Sequence, residues 1–155
     1  MRLAVKLLLA WFTLFGFTVG SWQAVFPASF YADFPGLGHH WVNPDGPYNE
    51  HLLRDVGLGG LAVGTVALVA LATGVVWVAR ATGVAVVVVN LPHQLYHQAH
   101  VSVLPTAADQ VLQSVTLAVV SLTAIALVVL TLRMPATPAP TPADTGSRAP
   151  APTRL

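Results

Sequence analysis

The chain has 155 residues, of which 55% are hydrophobic and only 8% are charged. So few charges cannot coat a water-soluble globule, which excludes a soluble single domain. The absence of cysteine excludes disulfides, thiolate metal sites and covalently attached haem, so a metal ion would take only nitrogen or oxygen ligands. The net charge is +1 and the basic residues are scattered, which excludes nucleic acid as a partner.

Four apolar stretches are long enough to cross a bilayer, since a helix needs about 20 apolar residues to cross a hydrocarbon core of about 30 Å. We therefore predict an all-α fold, an integral membrane bundle of four transmembrane helices within residues 1–133. The spans are predicted at residues 7–26, 56–79, 81–104 and 111–132, with a long outer loop over residues 27–55. Residues 134–155 are rich in Pro, Ala and Thr and are predicted to be a disordered cytoplasmic tail.

The first span has a second interpretation. A charged start, MRLAVK, followed by an apolar stretch is also typical of a cleaved signal peptide, with Val19-Gly20-Ser21 as a poor cleavage site. The apolar stretch continues to Phe26, and cleavage would leave only three spans. An uncleaved first span is therefore preferred.

The basic residues indicate the orientation, because short loops rich in Lys and Arg stay in the cytoplasm. Six of the seven lie on the side of the two termini, and only Arg54 lies on the opposite side, together with five of the six acidic residues. We predict cytoplasmic termini and a multi-pass protein whose surroundings are the lipid bilayer. The six are Arg2, Lys6, Arg80, Arg133, Arg148 and Arg154, with Arg80 in a tight turn between the second and third spans.

The third predicted span contains the most polar segment, NLPHQLYHQAH. Its histidines are three, four and seven positions apart, so they share one face of a helix. Polar groups at membrane depth are costly and usually face a bundle interior or an aqueous path, so we expect this face to look inward. Pro92 lacks a backbone N–H and is expected to kink or break the span. The face comprises His93, His97 and His100, with Asn90 one turn below and Tyr96 in the same segment.

A second polar segment, NPDGPYNEHLLRDVG, precedes the second span. Residues 44–46 are predicted to form a turn, and Pro47 suits the first position of a helix that continues into the span. Glu50 and Arg54 are then one turn apart, as are His51 and Asp55. A carboxylate one turn from a histidine can hold the imidazole ring, as it does around many metal ions.

The fourth span adds Asp109, Gln113 and Thr116, which share one helix face. Three helices would therefore bring polar groups to one pocket on the outer side. This pocket is predicted to bind its ligand through His93, His97, His100, His51, Glu50 and Asp55, with Asn90, Tyr96, Arg54, Asp109 and Gln113 in support.

Several ligands suit such a pocket: a divalent metal ion with nitrogen and oxygen ligands, a small amphiphile such as a quinone, or a relayed proton. The sequence lacks the HExxH pattern of many zinc sites, which weakens the prediction of a metal ion. A b-type haem is less favoured, because it needs axial ligands from opposite sides, such as His51 and His97, and the spacing does not demand them. In a catalytic site, His93 and His97 would be ligands or acid–base groups, with Asp55 orienting a histidine.

Each of these residues also has a structural interpretation. The histidine face can be a polar network between helices, and Glu50 with Arg54 an interfacial ion pair. Asp109 can cap the fourth span. Three neighbours in the Gly- and Pro-rich loop are predicted to be interfacial polar residues and a headgroup anchor: His39, His40 and Trp41.

Glycines recur in the second span. Several of them line one face, including a pair separated by three residues, which is the pattern of closely packed membrane helices. We therefore predict close helix packing, and not phosphate binding, for Gly57, Gly60, Gly64 and Gly74.

The four spans, the long first outer loop and the polar entrance to the second span resemble the small DoxX-like four-helix membrane proteins of bacteria. The resemblance covers residues 1–132, and the Ala-, Val- and Pro-rich composition is similar to that of high-GC actinobacterial chains. The resemblance implies a bacterial plasma membrane location and an accessory role in redox chemistry with thiols or quinones. The absence of cysteine argues against thiol chemistry, which leaves a quinone.

Two functions from different classes follow. The first is a membrane protein whose outward-facing pocket binds a metal ion or a small amphiphile, as a redox accessory protein or a membrane enzyme. The second is a non-enzymatic subunit that packs against another membrane protein or a second copy of itself, with the glycine face in support. A minimal transporter is disfavoured, because the chain lacks the internal repeat that is usual in that class.

Overall fold

The computed structural model describes residues 1–135 and contains five α-helices and one short β-hairpin. Four helices are long and apolar enough to cross a membrane, so the predicted all-α fold with four membrane-spanning helices is confirmed at that level. Most of the predicted tail, from residue 136 onward, lies outside the described residues. The elements are α1 (Leu3–Val25), α2 (Pro27–Asp33), β1 (Pro35–Gly36), β2 (His39–His40), α3 (Glu50–Thr73), α4 (Val76–Ala99) and α5 (Ala107–Leu132).

Local capping explains where the helices begin and end. The Asn49 side chain accepts a hydrogen bond from the backbone N–H of Leu52 at 3.0 Å, so α3 begins at Glu50, six residues before the predicted span. At its other end Gly74 adopts the left-handed conformation (φ 70°) that ends many helices. The predicted packing role of Gly74 is therefore wrong, because this glycine forms the turn that was expected at Arg80.

Arg80 accordingly lies inside α4, in its second turn. One guanidinium nitrogen, Nη2, donates a hydrogen bond to the Thr131 carbonyl of α5 at 2.8 Å. Further along the same helix, the expected break at Pro92 is absent, and α4 is continuous from Val76 to Ala99. Proline removes a single backbone hydrogen bond, and the rest of the helix retains its own.

The α1 and α3 helices run antiparallel and pack through glycines. A Cβ on Gly16 would lie 2.8 Å from the Gly60 carbonyl oxygen, and one on Gly57 would lie 2.5 Å from the Ala24 backbone nitrogen. No side chain fits in these spaces, so the two backbones are nearly in contact. The predicted packing role is confirmed for Gly57, Gly60 and Gly64, and the partners on α1 are Gly16, Gly20 and Ala24.

The α4 and α5 helices form the second antiparallel pair. Gly83 of α4 sits against Ala124 and Val128 of α5. The two pairs share an apolar core that includes Val5, Leu9 and Phe12 of α1, Ala67 and Ala70 of α3, Ala79 and Val86 of α4, and Val120, Ala124 and Leu127 of α5.

The end of the bundle that carries residues 26–49 and 100–106 is called the loop end here. Aromatic rings pack there: Phe30 stacks on Phe34 at 4.5 Å between centroids, and Trp22 meets Phe30 edge-on at 5.7 Å. Phe34 in turn lies edge-on to Trp41 at 6.0 Å. This aromatic cluster joins α1, α2 and the hairpin, and so directs the chain from α1 back across the bundle.

Candidate functional site

The predicted site residues lie at the loop end, where they form separate groups. Arg54 donates to Glu50, with Nη2 2.8 Å from Oε1, and its Nη1 donates to the Ala24 carbonyl at the end of α1. This pair therefore fastens α3 to α1. His51 and Asp55 are 3.4 Å apart, with their side chains 89% and 57% exposed, so they face away from the bundle.

The histidines of α4 share a face but do not converge on one point. The His93 and His97 rings meet edge-on at 4.5 Å between centroids, and Nδ1 of His97 lies 4.0 Å from Oδ2 of Asp45 in the loop. His100 stacks on Tyr96 and its Nδ1 donates to the Tyr96 carbonyl at 2.9 Å. Only His97 is partly buried, so the expected inward-facing histidine face reduces to this one side chain.

The predicted metal site lacks a structural basis. Within residues 1–135, no group of three or more His, Asp or Glu side chains is close enough to hold a metal ion. In this part of the chain, no hydrogen bond or ion pair joins the polar side chains at the start of α3 to the histidines of α4. The single shared pocket predicted from helix faces is thus replaced by smaller groups on different sides.

Asn90 belongs to a polar network between α4 and α5. Its Nδ2 donates to Ser121 Oγ at 2.8 Å, and the Ser121 hydroxyl donates to Gln94 Oε1. About two helical turns from Asn90, Gln98 Nε2 donates to Ser114 Oγ at 2.9 Å. These groups satisfy one another, which is how polar residues tie membrane helices together.

A buried carboxylate forms the best-connected polar centre of the loop end. Asp109, which is 5% exposed, accepts hydrogen bonds from Nδ1 of His39 at 2.6 Å, from Nε1 of Trp41 at 3.0 Å and from the Thr106 hydroxyl. Thr106 in turn caps α5 by accepting from the Asp109 backbone N–H at 3.0 Å. The predicted cap role of Asp109 is therefore wrong, because Thr106 is the N-cap of α5, and the Asp109 side chain instead holds the hairpin on that helix.

Sequence reasoning treated His39 and Trp41 as interfacial and so missed their role. One signal was present: a carboxylate buried at the end of a membrane span needs hydrogen-bond donors, and the loop offers few. Two of the three donors are ring N–H groups from the segment before α3. Gln113 is also buried, one turn along α5 from Asp109.

Beneath the hairpin, a groove of about 360 Å³ runs between α1 and α5. Its walls are Phe15 and Val19 of α1 and Leu112 and Thr116 of α5. Phe15 is ten residues from the end of α1, so the groove descends roughly 15 Å from the loop end at 1.5 Å per residue. The roof consists of hairpin residues, namely Phe34, Pro35, Gly36, Leu37, His39 and Trp41.

A second groove, of about 380 Å³, lies where α1, α2 and the start of α3 meet. Phe26, Tyr48, Glu50 and Arg54 contribute to its lining. Loss of hydration, and next the neighbouring Glu50 carboxylate, raise the pKa of the Tyr48 hydroxyl above its ordinary value. Because the Arg54 guanidinium is already bonded to Glu50 and to the α1 carbonyl, this groove offers less unpaired polar chemistry than the one under the hairpin.

Comparisons of the chain with protein-family models, with curated proteins and with solved structures found no match. The resemblance to DoxX-like proteins therefore stays a prediction, and the function is argued from the residues of this chain.

Proposed function

We propose that this chain is a multi-pass membrane protein that binds a small amphiphile, such as a quinone, in the groove between α1 and α5. The observation that carries the proposal is the placement of a polar centre, His39 on Asp109, at the roof of an otherwise largely apolar groove. Such a site matches a molecule with a polar head and an apolar tail. The volume of about 360 Å³ lies within the range of small-molecule sites.

The groove also suits delivery of the ligand from lipid. Its walls come from two helices that contact each other much less than α1 contacts α3, so the apolar side is not sealed by close backbone packing. An apolar tail that enters from lipid keeps apolar surroundings in the groove, whereas a head that stays near the loop end keeps access to polar groups. This proposal moves the site from α4 to the hairpin and retains Asp109 from the predicted set.

A metal site and a redox accessory role have less support. The metal would need three converging ligands, which residues 1–135 do not supply, and the redox role rests on the DoxX-like resemblance. The second function, a non-enzymatic accessory subunit, is supported by a different observation. The exposed His51 and Asp55 pair offers a polar contact for another protein at the loop end.

A ligand titration tests the proposed site. The detergent-solubilised protein is titrated with a short-tailed quinone, in its oxidised form and in its reduced quinol form, and saturable quenching of tryptophan fluorescence is measured. Thr116→Phe fills the groove and is expected to weaken binding at least tenfold, whereas Val115→Phe adds the same ring on an exposed face of α5 and should leave binding unchanged. Equal binding by the two variants, or no saturable binding by the wild type, refutes the proposed site.

We further propose that the loop end faces the outside of a bacterial plasma membrane, as the excess of Lys and Arg at the opposite end favours. Because the chain contains no cysteine, single substitutions report the orientation without background. Leu37→Cys, at the fully exposed hairpin tip, should react with a membrane-impermeant maleimide in intact cells. Thr73→Cys, at the other end of α3, should react only after lysis, and the reverse pattern refutes this orientation.

A further inference from the structure

The hydrogen bond between His39 and Asp109 determines which nitrogen of the imidazole ring carries the proton. An ionised carboxylate can only accept hydrogen bonds, so Nδ1 of His39, 2.6 Å from Oδ1 of Asp109, is the protonated nitrogen. In a neutral ring the other nitrogen, Nε2, then has a free lone pair and acts as an acceptor.

Nε2 is available to a ligand. Within residues 1–135, the His39 ring forms its hydrogen bond through Nδ1 alone, its side chain is 35% exposed, and the residue lines the groove under the hairpin. The donors beside it are already used, because Trp41 Nε1 and the Thr106 hydroxyl both donate to Asp109. The atom that this polar centre offers to a ligand is therefore an acceptor, Nε2 of His39, because the neighbouring side-chain donors all donate to the Asp109 carboxylate.

The remaining polar side chain of the groove does not change this selectivity. Thr116 lies seven residues along α5 from Asp109, roughly 10 Å deeper at 1.5 Å per residue. Its hydroxyl can both donate and accept, so it has no preference between a hydroxyl and a carbonyl on the ligand.

We infer that the head of the bound amphiphile is a hydroxyl group, as in the reduced quinol form of a quinone or another phenol, and that it donates a hydrogen bond to Nε2 of His39. This inference rests on the proposed function and specifies its ligand class. A ligand with only carbonyl or ether oxygens would place an acceptor against an acceptor. Its binding would lose one hydrogen bond and leave Nε2 unpaired.

Two probes that differ only in the donor test the inference. A para-decyl phenol and its methyl ether share ring and tail, neither undergoes redox cycling, and only the phenol can donate. Binding is measured by calorimetry in one detergent and at one mildly alkaline pH. We expect the phenol to bind about tenfold more tightly, as one net hydrogen bond of about 1.4 kcal/mol provides.

Variants assign the preference to His39. In His39→Phe the phenol should lose its tenfold advantage while the ether binds as before, which also shows that the groove is intact. His40→Phe is the matched control, because the neighbouring His40 donates from Nδ1 to the Ala32 carbonyl and does not line the groove. It should retain the full preference.

The outcomes separate the inference from the proposed function. If both probes bind equally to the wild type and Thr116→Phe abolishes both, the groove is a ligand site and the hydroxyl preference is refuted. Tighter binding of the ether, or an unchanged preference in His39→Phe, also refutes it. If neither probe binds saturably, the proposed function fails, and the inference with it.

Discussion

The contact between α1 and α3 gives the sharpest prediction, because Gly57→Ala adds one methyl group where the backbones nearly touch. The new Cβ would lie 2.5 Å from the Ala24 nitrogen and 2.9 Å from the Gly20 carbonyl oxygen, whereas ordinary contacts begin near 3.4 Å. The helices would have to separate by roughly 1 Å, the difference between these distances. Overpacking of this kind costs about 1–3 kcal/mol.

Gly59→Ala, in the same helix, isolates this cost. A Cβ on Gly59 meets nothing within 4 Å, and both substitutions share the gain of about 0.5–1 kcal/mol from replacing a helical glycine. We expect Gly59→Ala to be neutral or stabilising and Gly57→Ala to unfold more readily by the full overpacking cost. Thermal unfolding in micelles, followed by circular dichroism, measures the difference. Indistinguishable melting of the two variants would falsify the close packing of α1 on α3.

Three further predictions concern a cap, a polar network and the α4 histidines. Asn49→Ala removes the cap of α3 and should cost about 1 kcal/mol in the same melting assay, whereas Asn49→Asp should cost little. Asn90→Leu removes two hydrogen bonds to α5 and should cost about 1.2 kcal/mol, at about 0.6 kcal/mol for each bond; a stabilised variant would contradict the structural role of the network. His93→Leu with His97→Leu should leave quinone titration unchanged, and a loss of binding would return the site to α4.

The main elements of the fold could be predicted because lipid simplifies the problem. Each span must be a helix of about 20 apolar residues, and this requirement alone located all four long helices. Their ends could not be placed so well, since caps such as Asn49 and the left-handed Gly74 depend on backbone conformation and not on hydropathy. Hydropathy also could not predict which helices pack against each other, although Gly57 and Gly64 correctly indicated a close contact.

The candidate site was harder to predict, because helix periodicity shows which residues share a face but not which way that face turns. His93, His97 and His100 do share one side of α4, yet the neighbour of that side is the loop residue Asp45 and not the polar end of α3. The hairpin carries no periodic pattern, so its fold over α5 was invisible. Asp109 stood out as a polar residue of the fourth span, but its partners are set by tertiary structure.

The burial of Asp109 links the stability of the loop end to the chemistry of the groove. A carboxylate at the end of a membrane span is costly unless donors surround it, and here two of the three donors come from the hairpin that roofs the groove. Folding the hairpin onto α5 therefore satisfies the charge and orients His39 in the same step. Thr116→Phe occupies the groove and leaves both hairpin donors in place, whereas His39→Phe removes the acceptor together with one of the donors to Asp109.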